Sequence, residues 1–170
     1  MICFDIESLT KEQYDSLVDY IFSCCSEFTF HFPNFENTFA SNKEQIMLKN
    51  DGTINKEYVN YLNKNQKILS LCFKNGGNRH IANEYVNAKF RYTTQIIRAK
   101  LFPEIKSMIK STHIFEWQYP NMPEDICFFK GTLCRFLSTA HENEFYICNE
   151  TKEDKLFLSK IKVEYSIIHE

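Results

Sequence analysis

The sequence predicts an α+β fold: a largely antiparallel sheet with helices packed mainly on one face, in a single domain over residues 1–170. Three observations lead there. Apolar alternation and helical periodicity follow one another without a regular βαβ rhythm, and the hairpin signals gather late in the chain. No linker, internal repeat or low-complexity tract divides it. At 170 residues, such a chain buries roughly 70% of its unfolded surface without needing disulfides or metals.

Residues 1–6 alternate, with Ile2, Phe4 and Ile6 on one side, and predict a strand close to or paired with the next one. Thr10 and Gln13 form a capping box and Leu9 with Tyr14 a hydrophobic staple, so a helix is expected from 11 to 25. Its core stripe is Tyr14, Leu17, Val18, Ile21, Phe22 and Cys25. From Glu27 the chain alternates again, placing Phe28, Phe30 and Phe32 opposite Thr29 and His31, until Pro33 ends the strand. Helices are expected over 36–49 and 55–71. Gly76 and Gly77 mark a mobile loop over 75–83, with no phosphate-loop pattern around the glycine pair.

Tyr85–Tyr92 alternates as one strand with a wet face. The segment after it has helical spacing and predicts a helix over 94–110, started or kinked by Pro103. Between Arg79 and Lys110 seven basic residues face two acidic ones. A solvated helix face explains that excess without a ligand. Three alternating stretches, 126–130, 133–140 and 144–148, form a β-meander with tight connections at Gly131-Thr132 and His141–Asn143. A charged helix over 151–159, gripped by Leu156 and Phe157, and a last strand over 161–167 complete the chain.

Composition narrows the function. With 20 basic and 22 acidic side chains the chain lacks the charge of a general nucleic-acid binder. No stretch approaches the roughly 20 apolar residues of a membrane span, and no leader pattern opens the chain, so a cytoplasmic location is expected. The seven cysteines are odd in number and show no zinc-type CxxC spacing; they read as free, buried core thiols in a reducing compartment.

The stretch from Trp117 to Tyr146 holds the only tryptophan and the densest group of His, Asp and Glu. Pro123-Glu124-Asp125 precedes the first meander strand, and His141-Glu142 forms the turn after the second. In a meander these emerge at the same end of the sheet. Glu124, Asp125, His141, Glu142 and Arg135 could together perform acid-base chemistry or hold a divalent ion. The same residue types are also ordinary turn chemistry, and no HExxH, GxSxG, thiol-triad or phosphate-loop signature accompanies them. Trp117 and Tyr119 would complete a binding surface; core packing or a pocket rim suits them better than nucleic-acid stacking, because their neighbours are acidic.

Trp117 through Pro120, then Met122-Pro123-Glu124-Asp125-Ile126-Cys127-Phe128-Phe129 and Ser138-Thr139-Ala140-His141-Glu142, resembles an uncharacterised bacterial family often labelled stage III sporulation protein AH. A component of the sporulation channel would carry a membrane anchor and an exported domain, whereas this chain begins directly with a strand. What the resemblance implies is a recurring site around Pro123-Glu124-Asp125 and His141-Glu142, and no known reaction.

The leading expectation is a small cytoplasmic binding module, immunity-type or regulatory, with a protein partner and with no cofactor, metal, membrane or general nucleic-acid interaction. The alternative is a small hydrolase with His141 as base and Glu124, Asp125 or Glu142 as acid or ligands. A third possibility, a role in a spore assembly, rests on the family label.

Overall fold

The strand predicted at the N-terminus forms, and among the described residues it is one of eight in a single antiparallel sheet. The computed structural model describes residues 1–34, 56–87, 90–117 and 122–168. The elements in order are β1 (Ile2–Asp5), α1 (Lys11–Cys24), β2 (Glu27–Asn34), α2 (Lys56–Lys74), β3 (Asn78–Asn87), β4 (Phe90–Lys100), α3 (Pro103–Ser111), β5 (Glu124–Lys130), β6 (Leu133–Thr139), β7 (Glu144–Ile147), α4 (Lys152–Lys160) and β8 (Ser166–Ile167). Short 3₁₀ turns occupy Ile114–Glu116 and Ala140–Glu142. The strand order is β3-β4-β2-β5-β6-β7-β1-β8. The expected α+β class with an antiparallel sheet is therefore the observed one.

Register explains where the core lies. Ala99, Phe28, Phe128, Phe136, Ile147 and Ile2 stand side by side across β4, β2, β5, β6, β7 and β1, and all are at most 3% exposed. Because successive side chains alternate faces, one row of this kind defines a whole buried face. Helix α1 lies on it through Phe22 against Phe128 and Tyr20 against Phe136. Burying one such ring contributes on the order of 2–3 kcal/mol.

The helix forms for the reason its sequence suggests. Thr10 accepts from Gln13 N at 3.3 Å and its own N–H donates to Gln13 Oε1 at 2.8 Å, satisfying two otherwise orphaned donors. Tyr14, Leu17, Val18 and Ile21 are buried, while Phe22 and Cys25 are only partly so. Helix α3 packs alongside: Tyr14 Oη donates to Ile109 O at 2.8 Å, and Asp19 meets Lys106 and Lys110 at 2.9 and 2.6 Å. Helix α4 joins through a Tyr20–Phe157 ring stack at 4.0 Å.

Several expectations are corrected. Residues 94–100 are strand, not helix: β4 is paired with β2 on one side and β3 on the other, and the helix begins only at Pro103. The alternation over 85–92 is the closing end of a hairpin, in which Tyr85 faces Tyr92 across β3 and β4. Pro33 does not end β2, which continues opposite Thr94 and Thr93. Nor does β2 neighbour β1; three strands separate the two in the sheet. The expected loop over 75–83 shrinks, because β3 starts at Asn78. Gly76 instead takes φ +78° just past α2, with Gly77 N donating to Cys72 O at 2.9 Å, so the glycines cap a helix. The last strand is reduced to Ser166–Ile167, and Val163 is buried in the turn before it. The helix expected over 36–49 lies outside the described residues.

Candidate functional site

Ser138 creates the local geometry at the end of the meander. Its Oγ accepts from Ile126 N at 3.1 Å and donates to Ile126 O at 3.2 Å, standing in for a ladder partner where β5 and β6 part. Asp125, one residue earlier, sits at φ +48°, a left-handed conformation that a short polar side chain with a local hydrogen bond tolerates better than most residues. Its Oδ1 accepts from Ala140 N at 3.4 Å, so it ties the start of β5 to the 3₁₀ turn after β6. The topological expectation that these two loops share one sheet end holds at this contact.

More carboxylates collect there than the meander supplies. Asn143, at φ +56°, closes the turn, and its carbonyl accepts from Ile6 N at 3.3 Å, bringing the end of β1 beside it. Asp5 on β1 stands directly opposite Glu144 on β7. Asp5 Oδ1 accepts from Glu7 N at 2.9 Å, and Tyr146 Oη donates to the Glu144 carboxylate. Asp5, Glu7 and Glu142 are exposed; Asp125 and Glu144 are half-buried. None of these five forms an ion pair among the described residues.

The other expected site residues divide. Trp117 follows the Ile114–Glu116 turn and is fully buried, 6.2 Å from the Phe30 ring, with no hydrogen-bond acceptor for Nε1 among the described residues. It is a core group. Arg135 lies near the opposite end of β6, about 15 Å from the turn at the strand's 3.4 Å rise. There it is 6% exposed and pairs with Asp154 at 2.6 Å, donating also to the carbonyls of Cys148 and Asn149. Tyr119, and the side chains of Glu124 and His141, lie outside the described residues, as does the expected approach of His141 to Glu124 or Asp125. Among the described candidates, Glu142 is the exposed one.

Asp154, which the sequence reading passed over, anchors α4. It completes a capping box with Thr151 and accepts from Tyr20 Oη at 2.8 Å. Burial raises its pKa, but the bonds from Arg135, Thr151 and Tyr20 outweigh that and hold the carboxyl below the usual range. The Thr-x-x-Asp spacing at 151–154 was its sequence signal. Asp5 and Glu7 were missed because only pairing of β1 with β7 brings them to the meander's end.

Among the described residues, no group of three or more His, Cys, Asp or Glu side chains is arranged to hold a metal ion. No described helix is long and apolar enough to cross a membrane. Comparison with known proteins finds no matching family model, no matching curated protein and no matching solved structure.

Proposed function

We propose that this protein is a small cytoplasmic binding module, immunity-type or regulatory, that covers a basic surface of a protein partner with its acidic sheet end. The observation that supports this is the convergence of Asp5, Glu7, Asp125, Glu142 and Glu144 from three chain segments, without an ion pair among the described residues. Arg135 and Trp117, both expected in the binding surface, are buried, which leaves the carboxylates to carry it. Unpaired like charges at one edge raise the local negative potential and speed encounter with a basic partner.

The test is retention of a partner from native lysate by the parent and by a variant carrying Asp5→Lys, Glu142→Lys and Glu144→Lys, followed by binary titration. At least tenfold weaker binding by the variant, with steep salt dependence in the parent, is expected. Equal binding by both proteins overturns the assignment.

The hydrolase reading has one supporting observation, the Asp125–Ala140 contact that sets Asp125 beside the His141-Glu142 turn. It requires that added Zn²⁺ or Mn²⁺ raise the melting temperature of the parent and not of a His141→Ala, Glu124→Ala variant. No such rise is expected for a binding module.

A further inference from the structure

The sheet ends on one side in a short strand with an apolar edge. β8 lies outside β1, and the row Ile147, Ile2, Ile167 carries the buried face of the sheet out to it. Ile147 and Ile2 are fully buried, whereas Ile167 is 45% exposed. Tyr165 and Ile168, flanking the strand, are exposed as well, at 37% and 38%. Apolar side chains on an outermost strand are a template for pairing with another chain.

The backbone shows which way the hydrogen-bonding groups of this edge point. Met1 and Ile168 exchange both bonds, Ile168 N donating to Met1 O at 2.8 Å and Met1 N to Ile168 O at 3.1 Å. In an antiparallel ladder such doubly bonded pairs alternate with pairs that share no bond. Ile2 and Ile167 are the next pair, so the N–H and C=O of Ile167 turn away from β1 to the open edge. Ser166, opposite Cys3, turns inward again, and its hydroxyl also donates to Cys3 O at 3.3 Å. Carried one residue further, the alternation turns the backbone of Tyr165 outward too. No hydrogen bond to the backbone of Tyr165 or Ile167 occurs among the described residues. Two residues apart, their side chains share one face of the strand.

We propose that this edge pairs with the same edge of a second copy of the chain, antiparallel about a two-fold axis through Ser166. Tyr165 of each copy then stands opposite Ile167 of the other. The outward groups of these residues exchange bonds on both sides of the axis, and the two Ser166 residues face one another at the unbonded centre. An aromatic side chain opposite a β-branched one is a favoured cross-strand pair, and Glu164 falls opposite Ile168, so like charges do not oppose each other there. A second copy is the occupant because the edge is complementary to itself: the same two residues supply both halves of each bonded pair, and the two-fold closes the contact. The ladder is short, so the dimer is weak and forms as concentration rises. The contact is independent of the acidic sheet end.

The test is sedimentation velocity of the full chain from micromolar to millimolar concentration, where a reversible monomer–dimer equilibrium is expected. Ile167→Pro removes an N–H that β1 does not use, and Tyr165→Lys sets a charge against Ile167. Each should weaken dimerisation at least tenfold and leave the melting temperature close to that of the parent. In a Cys3→Ala background, Ser166→Cys should form an intermolecular disulfide at position 166 under mild oxidation. Unbonded antiparallel partners lie about 4.5 Å apart at Cα, within disulfide reach. A chain that stays monomeric over the whole range overturns the proposal. So does a dimer that both edge variants leave intact, or a Ser166→Cys protein that is dimeric and never cross-links at that position.

Discussion

The two faces of the sheet use the same strands and differ by one residue in register. On one, Ala99, Phe28, Phe128, Phe136, Ile147 and Ile2 form a continuous apolar row beneath the helices. The next row on the other face reads Arg98, Thr29, Cys127, Leu137, Tyr146 and Cys3, mixed in polarity and mostly half-buried. The first row binds the layers together by excluding water. The second keeps partial access to solvent. Full and partial burial are thus separated by the pleat.

The largest expected effect tests that separation directly. Phe128→Ala should cost about 3–5 kcal/mol in chemical denaturation, because a fully buried ring leaves a cavity under α1. Leu137→Ala, its near neighbour on the open face, should cost less than half as much. Equal losses would mean that both faces are core.

Next comes the buried ion pair. Arg135→Ala should cost about 3 kcal/mol, because it leaves Asp154 charged, buried and without its cation. A carboxyl whose folded pKa is depressed contributes stability that is complete above its ordinary value of about 3.9 and is lost as pH falls through the folded value. Part of the acid unfolding below about pH 4 should therefore disappear in Asp154→Asn, once the variant's lower baseline is subtracted.

His113 titrates in a different window. Burial first, and Lys11 nearby, lower its pKa to about 4 as it stacks on Tyr14 at 4.0 Å. The fold thus favours the neutral ring. Stability is complete above about pH 6.5 and falls between there and about pH 4, by no more than about 3 kcal/mol. His113→Gln should flatten the melting temperature across that interval.

The smallest stability effect is expected at the acidic end. Each of Asp5→Lys and Glu142→Lys should change stability by less than about 0.5 kcal/mol, since both side chains are exposed. A loss several times larger would make these groups scaffold, and would remove the argument for a docking surface.

Local chemistry made much of the molecule legible. The capping box at Thr10, the stripe of α1 and the alternation of the three meander strands each depend on near neighbours, so they appear in the structure as the sequence predicts them. Residues 94–100 show the limit. Their apolar spacing fits a helix, but Thr93, Thr94, Ile96 and Ile97 are β-branched and both neighbouring strands offer backbone partners, so the ladder prevails. The parity that turns Cys127 and Cys148 away from the core was present in their alternation with Ile126, Phe128 and Ile147. It was passed over because cysteine is so often a core residue.

What the sequence determined by itself was the class, the meander and the starts of α1, α2 and α4. Only the tertiary structure decided which strands became neighbours. That choice put Asp5 opposite Glu144, set Met1 beside Cys148 and drew Arg135 away from the turn to Asp154. Strand pairing joins residues far apart in the chain, and its free energy comes from backbone bonds and shared burial that no local pattern encodes.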